Sequence, residues 1–373
     1  MSRADRALSL LAAAALSAAP AARADAVIKI GACLSLTGAA AVYGAQQKAG
    51  LQAAVDELNR SGALPGMRLE LVIEDDASTK EQGIAVYQRL IGRDKVAAII
   101  GPTLSNTATA ADPLAQAARV PVVAVSNTAP RGITDIGDRI FRVSLTEGQV
   151  IPGALQRAQA RLGFKTAAVL YGNDDAFTQA GYEVMKGALS TMGVRTLGTQ
   201  TFAKPDRDYN AQLTALVGQK PDILVVSALA ENAAGIVAQA RQLGWQGPIL
   251  GGNGFNSAAL IKNAGPAAEG VLVGTSWNRS SSDPANQAFL MLMASRGFEP
   301  DQFCAQAYTG VLVIAEAVRL AGLKNGRDDV EAGLLKVKDL PTPLGRFSFL
   351  PSRDGSHEPA LQVVQGGRFE IAR

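Results

Sequence analysis

VAAIIGPTLSNT, residues 96–107, opens as an unbroken apolar run, breaks at Gly101-Pro102, and carries hydroxyl and amide side chains into an alanine-rich stretch at 106–118. An apolar run without alternation suits a strand buried on both faces, and the alanine-rich stretch suits a helix. VPVVAVSNTAP, residues 120–130, then repeats the first half of the pattern. Strand, loop, helix and strand in succession make a βαβ unit, whose two strands lie parallel.

The same alternation extends in both directions. Strands are expected at 27–36, 68–75, 96–100, 120–126 and 140–143, and a second series at 166–171, 195–202, 223–227, 249–251 and 270–274. Helices are expected between them at 45–60, 80–93, 106–118, 176–192, 209–218 and 230–243, followed by 284–296 and 306–321. The composition breaks near 144–153 and again after Gly274. Residues 337–373 are richer in Gly and Pro, with short strand-like pieces at 346–349 and 360–364. The fold class is therefore α/β, with doubly wound parallel sheets in two lobes. A chain of 373 residues is long enough for two cores of about 150 residues each.

Residues 1–24 stand apart. Arg3 and Arg6 precede an apolar run at 7–19, and Ala22-Arg23-Ala24 offers a small-residue cleavage site, the three-part pattern of a secretory signal peptide cleaved after Ala24. Three arginines and one aspartate leave with it, so a formal charge of +3 falls to about +1. A nearly neutral chain with no Lys/Arg cluster argues against nucleic acid or an anionic membrane as partner. Two cysteines, Cys33 and Cys304, are too few for a disulfide scaffold, and their spacing leaves open whether they pair.

Ligands of open parallel sheets sit beyond the carboxyl ends of the strands. Ser105 and the Ser126-Asn127-Thr128 triplet follow two adjacent strands, so hydroxyls and free backbone N–H groups converge there, which suits an anion. Either cluster alone would read equally well as helix or turn capping. Enzyme chemistry finds little support. The single histidine, His357, reads as a surface or loop residue and supplies neither a metal cluster nor a triad, and no nucleophile elbow or phosphate loop is present. The run Gly252-Asn253-Gly254 reads as a strand-to-helix turn over the pocket. No cofactor or metal is expected.

Several stretches, taken in order, resemble the periplasmic leucine/isoleucine/valine-binding protein family of type I solute-binding proteins. They are residues 30–44 (IGACLSLTGAAAVYG), 74–79 (EDDAST), 99–108, 120–130, 171–178 (YGNDDAFT), 239–245 (QARQLGW) and 268–273 (AEGVLV). The resemblance covers essentially the whole chain after the leader. It implies a three-strand hinge with crossings near 144–150, 273–278 and 350–358. The N-terminal lobe would then hold 26–146 plus 276–354, and the C-terminal lobe 147–275 plus 355–373. It also implies a monomer in the periplasm that delivers a small carboxylate-bearing solute, of branched-chain amino acid type, to the membrane permease of an ABC importer.

Site residues follow from that resemblance position by position. Ser105, Ser126 and Thr128 match the clamp on the ligand carboxylate, Ser126 and Thr128 through main-chain and hydroxyl groups. Tyr43 matches an aromatic walling the side-chain pocket, Phe177 the residue closing over the ligand from the second lobe, and Phe303 a phenylalanine at the side-chain end. Three departures stand out: Asn253 replaces the glutamate that pairs with a ligand ammonium, Leu229 replaces a tyrosine, and Ser78 and Leu104 occupy the positions of the founding member's disulfide. Glu147 matches the family's other acidic position and is the remaining candidate counter-ion. Aromatic or aliphatic carboxylates without an ammonium therefore stay open as ligands, and so does a sensor role for the same fold.

Overall fold

A computed structural model describes residues 25–372; the expected leader, residues 1–24, lies outside the described residues. The first half alternates β1 (Ala26–Leu34), α1 (Ala41–Ser61), β2 (Met67–Asp75), α2 (Lys80–Gln88), β3 (Ala98–Ile100), α3 (Ser105–Ala117), β4 (Val122–Ala124) and β5 (Ile140–Arg142). The second continues with α4 (Glu147–Leu162), β6 (Thr166–Gly172), α5 (Ala176–Thr191), β7 (Arg195–Phe202), α6 (Asn210–Val217) and β8 (Ile223–Ser227). Then come α7 (Ala230–Gln242), β9 (Ile249–Gly251), α8 (Ala258–Ala264) and β10 (Leu272–Thr275). The last part holds α9 (Pro284–Ser295), α10 (Gln302–Leu320), α11 (Arg327–Leu334), β11 (Leu340–Thr342), β12 (Gly345–Phe349), β13 (Gly355–Ser356), β14 (Ala360–Gln365) and β15 (Arg368–Ile371).

One sheet runs β2-β1-β3-β4-β5 and is wholly parallel. The second runs β15-β14-β10-β9-β8-β6-β7, parallel from β7 to β10 and antiparallel through β14 and β15. A small antiparallel sheet, β11-β12-β13, completes the set. Successive strand residues face opposite sides, so each sheet builds two cores. Ile28, Ile30, Ala32 and Leu34 of β1 pack against α1 and α10, whereas Cys33 packs with Val86, Tyr87 and Ala108 of α2 and α3. In the second sheet Leu224 and Val226 face one core and Ile223 and Val225 the other.

This packing answers the cysteine question. Cys304 belongs to the α10 side of the first sheet and Cys33 to the opposite side, and both thiols are free and buried. α10 is long and apolar enough to cross a membrane by composition, yet it is a core helix here, with 72% of its apolar window buried.

Two expectations need correction. The composition break read near 144–153 runs into the helix α4, which was not among the expected helices. Its start is marked by a capping box: Gln149 N donates to Thr146 Oγ1 at 3.1 Å and Thr146 N to Gln149 Oε1 at 2.8 Å. α10 begins at Gln302 rather than 306, because Asp301 Oδ1 accepts from Phe303 N and Cys304 N and caps it there. His357 lies in a loop, as expected, and is partly buried. Its ring faces inward beside Phe347, Nε2 lies 3.4 Å from Val143 O, and burial pushes its pKa down to about 4.

Candidate functional site

β3 and β4 pair in register, Ile99 with Val122 and Ile100 with Val123, so the loops leaving their carboxyl ends lie side by side. Thr103 O joins them, accepting from Ser126 Oγ at 2.7 Å and Asn127 Nδ2 at 3.4 Å. Gln47 of α1 clasps both loops: Thr103 Oγ1 donates to its Oε1 at 2.6 Å, and its Nε2 donates to Ser126 Oγ at 2.7 Å. The Ser126 hydroxyl is thus engaged within the protein, and what it can offer a ligand is its backbone N–H. Ser105 differs. It is the first residue of α3 and only 3% exposed, and among the described residues its hydroxyl has no hydrogen-bond partner.

The opposite wall comes from the second sheet's strand ends. Phe177 lies in the first turn of α5, whose N-terminus is capped by Asp175 Oδ1 accepting from Phe177 N and Thr178 N. Leu229 follows β8 and Asn253 follows β9. Tyr43, in the first turn of α1 rather than in the loop before it, meets Leu104, Phe177, Leu229 and Phe303 in one small apolar cluster between the lobes. The Tyr43 and Phe303 rings lie 4.4 Å apart. Ser105, Ser126, Thr128, Tyr43, Phe177, Leu229, Asn253 and Phe303 all line a cleft of about 310 Å³ there, together with Thr103, Leu104 and Gly254. That figure includes open solvent; the enclosed space is about 20 Å³, room for about one water molecule, so a ligand needs the lobes to part.

The lobes are shut on each other. The Tyr43 hydroxyl donates to Gly254 O at 2.8 Å and accepts from Ala230 N at 2.6 Å. Asn106 on α3 reaches the start of α5, where Ala176 N donates to its Oδ1 at 2.9 Å and its Nδ2 donates to Asp175 Oδ2 at 3.0 Å. Glycine is needed at Gly254, because a Cβ there would fall 2.3 Å from Ala228 O and 3.0 Å from the Phe177 ring.

Glu147 does not line the cleft. It is 1% exposed and sits one layer behind, where Thr128 Oγ1 donates to its Oε1 at 3.3 Å and Asn253 N at 3.2 Å. Oε2 has no partner and lies against Gly252, where a Cβ would come within 2.4 Å. Burial raises its pKa to about 7, against the lowering effect of its hydrogen bonds to Asn253 and Thr128. Asn253 is also committed: Oδ1 accepts from Gln302 Nε2 at 3.0 Å and from Ser276 Oγ at 3.1 Å, leaving Nδ2 unpartnered. The sequence reading missed Gln47, Thr103, Asn106 and Gln302. Asn106 directly follows Ser105 in the quoted loop, but nothing local marks Gln47 or Gln302, which arrive from distant helices.

The cleft wall is neutral and mostly apolar, with hydroxyl and N–H donors at one end. Such a wall is suited to holding a small solute with an anionic end. Among the described residues no three His, Cys, Asp or Glu side chains group to hold a metal. A larger crevice of about 1,270 Å³, including open solvent, lies elsewhere between the lobes, walled by Arg279, Glu299, Asp301, Arg368 and Glu370.

The sequence profile of the periplasmic binding proteins matches residues 27–368. A leucine-, isoleucine-, valine-, threonine- and alanine-binding protein of Pseudomonas aeruginosa is 29% identical over 324 residues, 86% of this chain and 85% of that one. The crystal structure of a branched-chain amino acid transporter substrate binding protein from Streptococcus pneumoniae, in complex with isoleucine, superposes with a TM-score of 0.86 at 28% identity, covering 92% of this chain and 98% of that one. An ABC-transporter solute binding protein from R. palustris, in complex with 4-hydroxybenzoate, shares the fold with a TM-score of 0.83 at 23% identity, covering 93% and 95%.

Proposed function

This chain belongs to the periplasmic binding protein family, and from that premise we propose that it captures an α-amino acid with a small apolar side chain for the permease of an ABC importer. It is a binding protein and not an enzyme. The ligand carboxylate would meet Ser105 and the backbone N–H groups of Ser126 and Thr128, and its side chain would meet Tyr43, Phe177, Leu229 and Phe303.

The observation that carries the amino-acid reading is the buried Glu147 carboxyl, with one oxygen unpartnered, directly behind Thr128. Beside a clamp for an anion, a second buried carboxylate is unfavourable unless a cation accompanies it, and a zwitterion brings one. Leaving a buried charge uncompensated costs several kcal/mol. The relatives named for leucine, isoleucine and valine support the same reading.

The acid-free lining favours a second reading, an aromatic or aliphatic monocarboxylate bound with Glu147 protonated. A thermal-shift panel separates the two. L-leucine, L-isoleucine and L-valine should stabilise the protein well beyond their deaminated counterparts and benzoate; the reverse order would overturn the amino-acid reading while keeping the solute-capture role.

A further inference from the structure

Beneath the loop that follows β4 lies the largest fully buried side chain, Arg142, at 0% exposure. Arg142 ends β5 and pairs in register with Ala124, so its guanidinium comes up under residues 126–130. Nη1 donates to Asn127 O at 3.2 Å and to Ala129 O at 2.5 Å, and Ser144 Oγ donates to Asn127 O at 3.1 Å. Nε donates to Asp354 Oδ1 at 2.8 Å. The Arg142 N–H donates to Arg353 O at 2.9 Å, tying β5 to the segment that later crosses to the second lobe.

In a planar trans peptide the carbonyl of one residue and the N–H of the next point in opposite directions. The Asn127–Thr128 peptide is trans. With Asn127 O drawn down to Arg142, the Thr128 N–H is turned the other way, on a residue that lines the cleft. We propose that Arg142 is a positioning residue for carboxylate recognition: its guanidinium holds the Asn127 and Ala129 carbonyls back and so presents the Thr128 N–H to the ligand, with Asp354 fixing the guanidinium. This inference rests on the carboxylate clamp proposed above. The planar fork is what the geometry requires, since one lysine ammonium cannot meet Asn127 O, Ala129 O and Asp354 together in those directions.

The test measures affinity by calorimetry for two acid/amide pairs, L-leucine with L-leucinamide and benzoate with benzamide, in wild type, Arg142→Lys, Ser144→Ala and Ser105→Ala. Arg142→Lys, folded by circular dichroism, should lose at least tenfold for the bound acid while its amide changes less than threefold. A general loss of structure would weaken acid and amide together. Ser144→Ala removes only a hydroxyl and should lose a few-fold, again for the acid. If folded Arg142→Lys keeps the wild-type acid/amide ratio, the inference is overturned. If Arg142→Lys does not fold, Ser144→Ala decides, and an unchanged ratio overturns the inference. Should Ser105→Ala reduce acid binding while the other two variants do not, only the positioning role of Arg142 falls. Should Ser105→Ala leave the acid unaffected, the clamp falls and the inference with it.

Discussion

The hydroxyl of Tyr43, on the first helix, donates across the cleft to the carbonyl oxygen of Gly254 at 2.8 Å, in a turn more than two hundred residues later in the chain. The Tyr43 hydroxyl oxygen in turn accepts from Ala230 N at 2.6 Å. One side chain thereby pins two second-lobe loops against the first lobe, directly beside the ligand wall.

Tyr43→Phe keeps the ring and removes both bonds. At about 0.5–1.5 kcal/mol for each neutral hydrogen bond, closure should weaken by about 1–3 kcal/mol and ligand affinity by about 5- to 150-fold. Small-angle scattering should show a more open ligand-free variant, and calorimetry the loss in affinity. An unchanged profile and affinity would exclude Tyr43 as a latch.

Ser105→Ala should weaken the native ligand more than Ser126→Ala does. The Ser105 hydroxyl is free to bond a carboxylate, a contact worth about 1.5–3 kcal/mol, whereas the Ser126 hydroxyl already serves Thr103 O and Gln47. Calorimetry on the two variants checks the order, and equal losses would return the Ser126 hydroxyl to the clamp.

Glu147 makes ligand binding depend on pH, with a sign that reports the ligand. Its folded pKa of about 7 lies above the ordinary 4.5, so the ligand-free fold favours the protonated form. Its stabilising contribution is complete below about pH 4.5 and is lost as the pH rises through 7. An ammonium ligand needs the ionised form, so amino-acid affinity should rise from pH 5 to 8 and binding near pH 7 should release protons. A simple carboxylate should show falling affinity and proton uptake. In Glu147→Gln both slopes should flatten, and the amino acid alone should lose several kcal/mol. Titrations in buffers of different ionisation enthalpy measure the proton count.

Asn253→Leu tests whether Asn253 acts in closure. The substitution keeps the number and branching of side-chain heavy atoms but strands the Gln302 Nε2 and Ser276 Oγ donors. Each buried unsatisfied group costs about 1–3 kcal/mol, so urea unfolding should show a loss of about 2–6 kcal/mol, accompanied by weaker closure in scattering. Wild-type stability would mean that the two donors find other partners.

Much of the fold was legible because both of its signals are local. Apolar runs such as 96–100 and 223–226 mark strands covered on two faces, and the turn residues after them mark where a ligand can sit. Helix α4 escaped because Pro152 and its neighbouring glycines mask the periodicity, although Thr146 and Gln149 announce its start. Eight of the nine residues expected at the site meet at one cleft.

Their tasks were not legible. By itself the sequence determined an alternating α/β chain, hydroxyl-rich loops at adjacent strand ends, and an asparagine where the resemblance expects a glutamate, because each of these depends on residues close together in the chain. Only the tertiary structure decided which polar atoms remain free. Gln47 arrives from α1 to occupy the Ser126 hydroxyl, Gln302 from α10 to occupy Asn253, and Arg142 from β5 to turn the Thr128 peptide. It also set Glu147 one layer behind the wall and Cys33 and Cys304 on opposite sides of a sheet. A hydrogen-bonding side chain has a fixed number of donors and acceptors, and which partners fill them depends on packing between segments that the local pattern does not relate.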